Sequence, residues 1–408
     1  MVLLDQAAKL DAADPLNRYR DRFVPNEDLV AYLDGNSLGR PLKATVDRLR
    51  SFVEEQWGGR LIRGWDERWL DTPARLGDHL GRVVLGAAGG QTVIGDSTTV
   101  LLYKLIRAAV AARPGRTEVV CDRDNFPTDR YILQGVAAEC GLRIKWLDVD
   151  PAGGVTVDQV HKAVGSDTAL VLFSHVAYRS GWLAEAAEIT ELAHAAGALV
   201  LWDLCHSAGV VPVELDEWGA DLAVGCTYKF LNGGPGAPAF AYVRAELQDS
   251  LQQPIWGWIG ARNPFEMGER YEPATGIRRF LSGTPPILGL QPVIDMVELI
   301  EEAGPAAVRA KSVQLTEHAI TVADELLTPH GVRVGSPRDS DRRGSHVTLA
   351  HPDFHTIVRH LWDRDVIPDF RNPDTLRIGL SPLSTSFTET TRGLIAIDEA
   401  LRVVGGAH

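Results

Sequence analysis

Apolar residues follow two spacings along this chain. In the middle third, short unbroken apolar runs recur: TEVVCD (117–122), RIKWLDV (143–149), ALVLFSHVAYRSG (169–181), ALVLWD (198–203), DLAVGC (221–226) and AFAYVR (239–244). An unbroken run of that length reads as a strand buried on both faces. Between them Asn125–Gly141, Val157–Val164 and Ala184–Ala196 carry the three-to-four spacing of an amphipathic helix, and a short helix is expected after ALVLWD. Strands separated by helices predict parallel β-α-β units, hence an α/β fold: a doubly wound, mostly parallel sheet with helices on both faces.

The flanks differ. Residues 1–30 read as helix and then extended chain, broken at Pro15 and Pro25. YLDGNSLGRP (32–41) is a short strand with a glycine-bearing turn, and Ala44–Trp57 is helical. GWDERW, within 58–72, is polar with two tryptophans; Trp65 and Trp69 either pack under a loop or touch a ligand. From 255 to 286 the chain is irregular and aromatic, the mark of a functional or interface loop. Leu288–Ala303 and Pro305–Leu327 return to helix. VRVGSP, SHVTLA and TLRIGL as strands, with helices Phe354–Asp363 and Thr388–Val404, predict a smaller α+β domain. The division expected is an N-terminal segment (1–50) packing with that small domain, a large α/β domain (51–300) and the small domain (301–408).

Candidate chemistry lies where the apolar runs stop, because parallel sheets place their sites at the carboxyl ends of strands. One run ends at Asp203 and His206, another at Tyr228 and Lys229 before a glycine-rich turn. A carboxylate and a lysine closing two such strands suit pyridoxal phosphate (PLP). The lysine forms a Schiff base, and the carboxylate keeps the pyridine nitrogen protonated. Taken singly, either residue is as well explained as a solvated lysine or a helix cap. Asp96, Ser97, Thr98 and Thr99 precede an amphipathic helix within 93–112; they cap it, and beside a Schiff-base lysine they also suit a phosphate.

Composition narrows the partners. The 408 residues are 45% hydrophobic and 23% charged with net charge −13, and no block of lysine or arginine stands out. Nucleic acid and anionic membrane are therefore not expected partners. The N-terminus carries acidic residues without a leading positive charge, so it does not read as a secretory signal, and the longest apolar runs are strand-sized. Four cysteines without C-x-x-C spacing predict free thiols and no metal, in keeping with a cytoplasmic protein.

The strings DNFPTDRY, FSHVAYRSG, WDLCHSAG, CTYKFLNGGPG, GWIG and GTPPIL occur in that order, between LDGNSLG (33–39) and LRIGLSPLSTSF (376–387). Together they resemble the kynureninases, PLP-dependent homodimeric enzymes of the aminotransferase (type I) fold. The resemblance implies hydrolytic Cβ–Cγ cleavage of L-kynurenine, or a ring-substituted kynurenine, to anthranilate and L-alanine. Tryptophan catabolism and NAD biosynthesis both use that chemistry. It implies that Lys229 carries PLP and moves the substrate Cα proton, that Asp203 pairs with the pyridine nitrogen supported by His206, and that Tyr228 donates a proton. Phe126 would stack on the ring and Asp129 lie near its phenolic oxygen. Thr98, Thr99, Tyr228 and Trp258 would hold the phosphate, Ser174 would line the site, and Thr284 would reach it from a second subunit. Arg377 would clamp the substrate carboxylate, with Asn36, Ser37, Trp65 and Gly283 also at the substrate. Trp65, Gly283 and Thr284 resemble the bacterial type, which prefers unsubstituted kynurenine.

Three other readings share parts of this pattern. A cysteine desulfurase-like lyase needs a mobile cysteine downstream of the lysine, whereas the last cysteine here is Cys226. An aminotransferase uses the same Asp–Lys–Arg set, and only the six strings decide against it. A non-catalytic binding module of this fold would often lose Lys229, Asp203 or Arg377, all of which are kept.

Overall fold

The computed structural model of the chain describes residues 2–405. Its strands, in chain order, are β1 (Ala31–Tyr32), β2 (Thr92–Ile94), β3 (Glu118–Asp122), β4 (Arg143–Leu147), β5 (Thr168–Ser174), β6 (Leu199–Asp203), β7 (Leu222–Gly225) and β8 (Phe240–Val243). They are followed by β9 (Arg333–Val334), β10 (His346–Ala350), β11 (Val366–Ile367), β12 (Asp369–Arg371) and β13 (Thr375–Gly379).

Seven strands form the main sheet in the order β2-β8-β7-β6-β5-β3-β4. From β4 through β7 all pairings are parallel, as the strand–helix alternation predicts. β8 departs from that alternation and runs antiparallel to β7. The reason is local: no helix separates Gly225 from Phe240, so the chain has no crossover and turns back. β2, too short to stand out as an apolar run, closes the edge antiparallel to β8. The segment after β6 forms turns rather than the expected short helix, with Gly209 in the left-handed region at φ +90°.

Burial on both faces explains the unbroken runs. In β6, Leu199 and Leu201 face the core with Leu101, Leu105 and Leu170, while Val200 and Trp202 face the opposite one with Phe173 and Ile189. Side chains alternate along a strand, so only an all-apolar sequence fills both layers. Trp202 still satisfies its indole N–H, which donates to Thr190 Oγ1 at 3.1 Å.

A second, antiparallel sheet has the order β12-β13-β10-β9, and β1 pairs in parallel with β11. Its core joins Leu315, Ile320, Val347, Phe354 and Leu394 with Ala7, Ala31 and Leu33 from the N-terminal stretch. Helix Val2–Ala13 lies along helix Phe387–Gly405, and Asp11 accepts the N–H groups of Phe387 and Thr388 at 2.7 and 3.0 Å. A buried ion pair, Lys311 with Asp14, fixes the same segment. Register places Asp369 and Thr348 on either side of Arg377, and His346 opposite Gly379.

Candidate active site

The carboxyl ends of β5 and β6 stand side by side, with Ser174 paired to Asp203. After β7 the chain makes a tight turn over Cys226–Gly233, in which Gly233 N–H donates to Thr227 O at 2.8 Å and Asn232 N–H to Lys229 O at 3.0 Å. Two glycines allow this turn. A Cβ on Gly39 would sit 2.4 Å from Lys229 O, and one on Gly233 would sit 2.8 Å from the Ala237 Cβ. LDGNSLG is thus a backbone clasp on the lysine turn, held by Gly39 N–H donating to Tyr228 O at 2.9 Å.

Lys229 is buried, its Nζ 3.3 Å from His206 Nε2 and 5.6 Å from the centre of the Phe126 ring. Asp203 Oδ1 accepts the N–H of Cys205 at 2.7 Å. Asp129, in the first turn of helix Pro127–Cys140, is buried with no protein partner on either carboxyl oxygen. Ser174 Oγ donates to Asn125 Oδ1 at 2.7 Å, and that oxygen also takes the N–H of Phe126. Phe126 is thereby fixed at the head of its helix, edge-on to Tyr178 at 5.3 Å.

Lys229, His206, Asp203, Asp129, Ser174, Phe126 and Tyr178 share one cavity of about 130 Å³ with Ser97, Thr98, Thr99, Tyr228 and Cys205. Ser97 caps helix Thr98–Ala111, so backbone donors and three hydroxyls converge at the positive end of a helix. The turn before it is held from behind: Asp96 is left-handed at φ +54°, and its carboxylate takes a hydrogen bond from fully buried Lys104 at 2.6 Å.

Charge inside the cavity is divided between neighbours. Burial, then the Asp203 carboxylate, pushes the Asp129 carboxyl well above its usual range. Burial and the Lys229 ammonium keep His206 neutral. Burial, then Cys226, raises the Tyr228 phenol, which keeps its proton.

Arg377, 2% exposed, is hydrogen-bonded through all three of its nitrogens. Nε and Nη2 meet Asp369, Nη1 donates to Tyr178 O at 2.7 Å, and Nη2 donates to Ser37 Oγ at 3.1 Å. With the Asn36 amide turned to satisfy both its atoms, its oxygen accepts from Nε and Nη2 at 3.2 and 3.3 Å, and its nitrogen donates to Asp34 Oδ1 at 3.3 Å. Tyr178 joins this cluster to the lysine cavity, since its carbonyl serves Arg377 while the residue lines the pocket.

The structure therefore gathers Thr98, Thr99, Phe126, Asp129, Ser174, Asp203, His206, Tyr228 and Lys229 in one cavity, and Asn36, Ser37 and Arg377 beside it. Four expected residues lie elsewhere in the single chain. Trp258 packs on Phe265 at 5.8 Å, Trp65 packs edge-on to Trp69 at 5.5 Å, and Gly283 and Thr284 are exposed. Sequence reasoning passed over Tyr178, Asn125, Asp369 and Lys104. Tyr178 and Asn125 lie within FSHVAYRSG and DNFPTDRY; Asp369 and Lys104 carry no linear signal. The four cysteines are free thiols. Among the described residues no His, Cys, Asp or Glu group could hold a metal, and no helix is long and apolar enough to cross a membrane.

The donor set suits PLP. A buried amine, a hydroxyl-lined helix start, an aromatic ring and a pair of carboxyls with two oxygens lacking protein partners match its aldehyde, phosphate, ring face and polar ring atoms.

Comparison with known proteins agrees with this geometry. Two solved cysteine desulfurases, from Thermococcus onnurineus and Escherichia coli, superpose with TM-score 0.81 at 19% and 17% identity, each over 95% of this chain and 98% of theirs. They show the type I fold of PLP-dependent enzymes. The family model for the kynureninase C-terminal domain matches residues 308–396. A kynureninase from Pseudomonas fluorescens is 39% identical across 98% of this chain and 96% of its own length. One from Burkholderia pseudomallei is 39% identical across 94% and 92%. Identity sustained over whole chains, on a cavity built around Lys229 and Asp203, makes this chain a member of the kynureninase family.

Proposed function

We propose that the protein hydrolyses the Cβ–Cγ bond of L-kynurenine, or a ring-substituted kynurenine, releasing anthranilate and L-alanine with PLP held in the Lys229 cavity. The observation that carries this reading is the Lys229 amine and the Asp203 carboxylate facing one cavity beside the Phe126 ring. When bound, PLP supplies an electron sink for negative charge developing on the substrate.

The chain's own groups do the rest. Ser97, Thr98 and Thr99 bind phosphate at the helix start, and Phe126 packs on the ring. Asp203 faces the ring nitrogen, and its charge helps to hold the neighbouring Asp129 carboxyl above its usual range. Lys229 Nζ, with neutral His206 3.3 Å away to share its hydrogens, removes the substrate Cα proton. Tyr228, which keeps its proton at neutral pH, delivers one to Cβ from the residue next to Lys229. Arg377, its guanidinium plane set by Asp369 and Tyr178 O, anchors the α-carboxylate with Asn36 and Ser37 nearby.

The protein acts in the cytoplasm as a homodimer and without nucleic acid. Trp258 and Thr284 complete the phosphate site of the second subunit, which accounts for their positions outside this chain's own cavity. Gly283 and Trp65 form an apolar wall that leaves a ring hydroxyl unpaired and so favours unsubstituted kynurenine. The test is direct. Cofactor-loaded protein should be yellow, bleach with borohydride, and release fluorescent anthranilate from kynurenine. A yellow protein that releases none refutes the activity, and a higher kcat/KM for 3-hydroxykynurenine refutes the ring preference.

A further inference from the structure

Around Arg377 lies a closed set of four charges, Asp34 and Asp369 against Arg371 and Arg377. Asp369 holds both cations, with Arg371 Nε at 3.0 Å and Arg377 on its other side. Asp34 is held differently. Among the described residues no guanidinium pairs with it; its carboxylate is served by neutral groups, the Asn36 amide at 3.3 Å and the Ser37 side chain, both of which also meet Arg377. On the cavity side of Arg377 stand Lys229 and two buried histidines, His206 and His346, both held neutral by burial and the neighbouring cations. Arg40 pairs with Glu389, and the Tyr32 phenol, raised by burial and Asp34, keeps its proton while donating to Leu38 O at 2.8 Å. At neutral pH the set sums to zero.

A ligand carboxylate anchored on Arg377 places a third anion against two cations in a mostly buried space. The excess charge falls on whichever carboxylate is least well paired. Asp369 keeps two guanidiniums, whereas Asp34 has only neutral partners, the Asn36 amide and Ser37.

We propose that Asp34 is the proton acceptor of the carboxylate site: the α-carboxylate of a ligand enters the Arg377 cluster together with one proton from solvent, which settles on Asp34. The inference rests on Arg377 as the carboxylate anchor. Burial, then Asp369, already pushes the Asp34 carboxyl up to about 6, so at pH 7 it is about nine-tenths ionised and has room for that proton. With substrate in place Asp34 is neutral, and its O–H becomes a donor beside Asn36.

The test compares two amines that differ only in the carboxylate. L-alanine and ethylamine are titrated into cofactor-loaded enzyme from pH 6 to 8.5, following the visible absorbance. Protons exchanged with the cofactor are common to both, so the ratio of their Kd values isolates the carboxylate. The preference for L-alanine should fall about tenfold per pH unit above 7 in the wild type. An indicator dye should register about 0.9 proton more taken up with L-alanine at pH 7. Asp34→Asn should flatten the ratio and abolish the extra uptake, and the wild-type titrations suffice if that variant folds poorly. A preference for L-alanine that is large but independent of pH overturns the role of Asp34 and leaves Arg377 as anchor. No preference at any pH overturns the anchor itself.

Discussion

Lys104→Met tests whether the phosphate cradle is built from behind. Lys104 is fully buried, and its Nζ donates to Asp96 Oδ2 at 2.6 Å and to Phe280 O at 2.9 Å. Removing one partner of a buried ion pair costs about 3–5 kcal/mol in general. The Asp96 side chain is 26% exposed, so water recovers part of that, leaving about 2–3 kcal/mol. Asp96 also stands in the left-handed region, which costs a non-glycine residue about 1 kcal/mol and persists only while the surroundings impose it. Without Lys104 the turn relaxes, and Ser97 to Thr99 lose their common aim. Urea unfolding of the cofactor-free variant should show the stability loss. Tryptophan fluorescence titrations with PLP and with pyridoxal, which lacks the phosphate, should show PLP weakened about tenfold more than pyridoxal, the worth of one charge-assisted hydrogen bond. If both weaken by the same factor, the pair supports only the core and plays no part in aiming the phosphate cradle.

Tyr228→Phe should slow alanine release by about 10²–10⁴-fold without loss of bound cofactor; a wild-type rate in stopped-flow assays would remove the phenol from the mechanism. Asp11→Ala uncaps helix Phe387–Gly405. It should lower stability by about 1–2 kcal/mol in urea titrations, and an unchanged midpoint would contradict the cap. His175, buried edge-on to Trp218 at 4.8 Å, is pulled down to about 3 by burial, with Arg309 adding to it. Between that value and 6.5 the unfolded chain binds a proton that the folded chain refuses. Stability therefore falls on acidification by about 1.4 kcal/mol per pH unit from this residue, and His175→Leu should remove that part of the slope.

What could be read from the chain depended on whether the signal was local. The runs of β5 and β6 were legible because both their faces are buried, and Asp203 and Lys229 because they end such runs. The direction of AFAYVR was not in its composition; it lay in the missing helix before it. Asp369 became visible as a partner of Arg377 only through cross-strand register. Asp34 joins the same cluster from more than three hundred residues away, so no spacing rule connects them. LDGNSLG could be seen as a motif, but its purpose, steric access to the Lys229 carbonyl, required the fold.

The two halves of the site hang from different sheets: the amine on the seven-stranded one, the guanidinium on the four-stranded one. Their separation acts as a gauge of ligand length, and small rotations between the lobes would detune recognition while the prosthetic group stays in place. On gentle heating the enzyme should therefore go silent before it goes colourless.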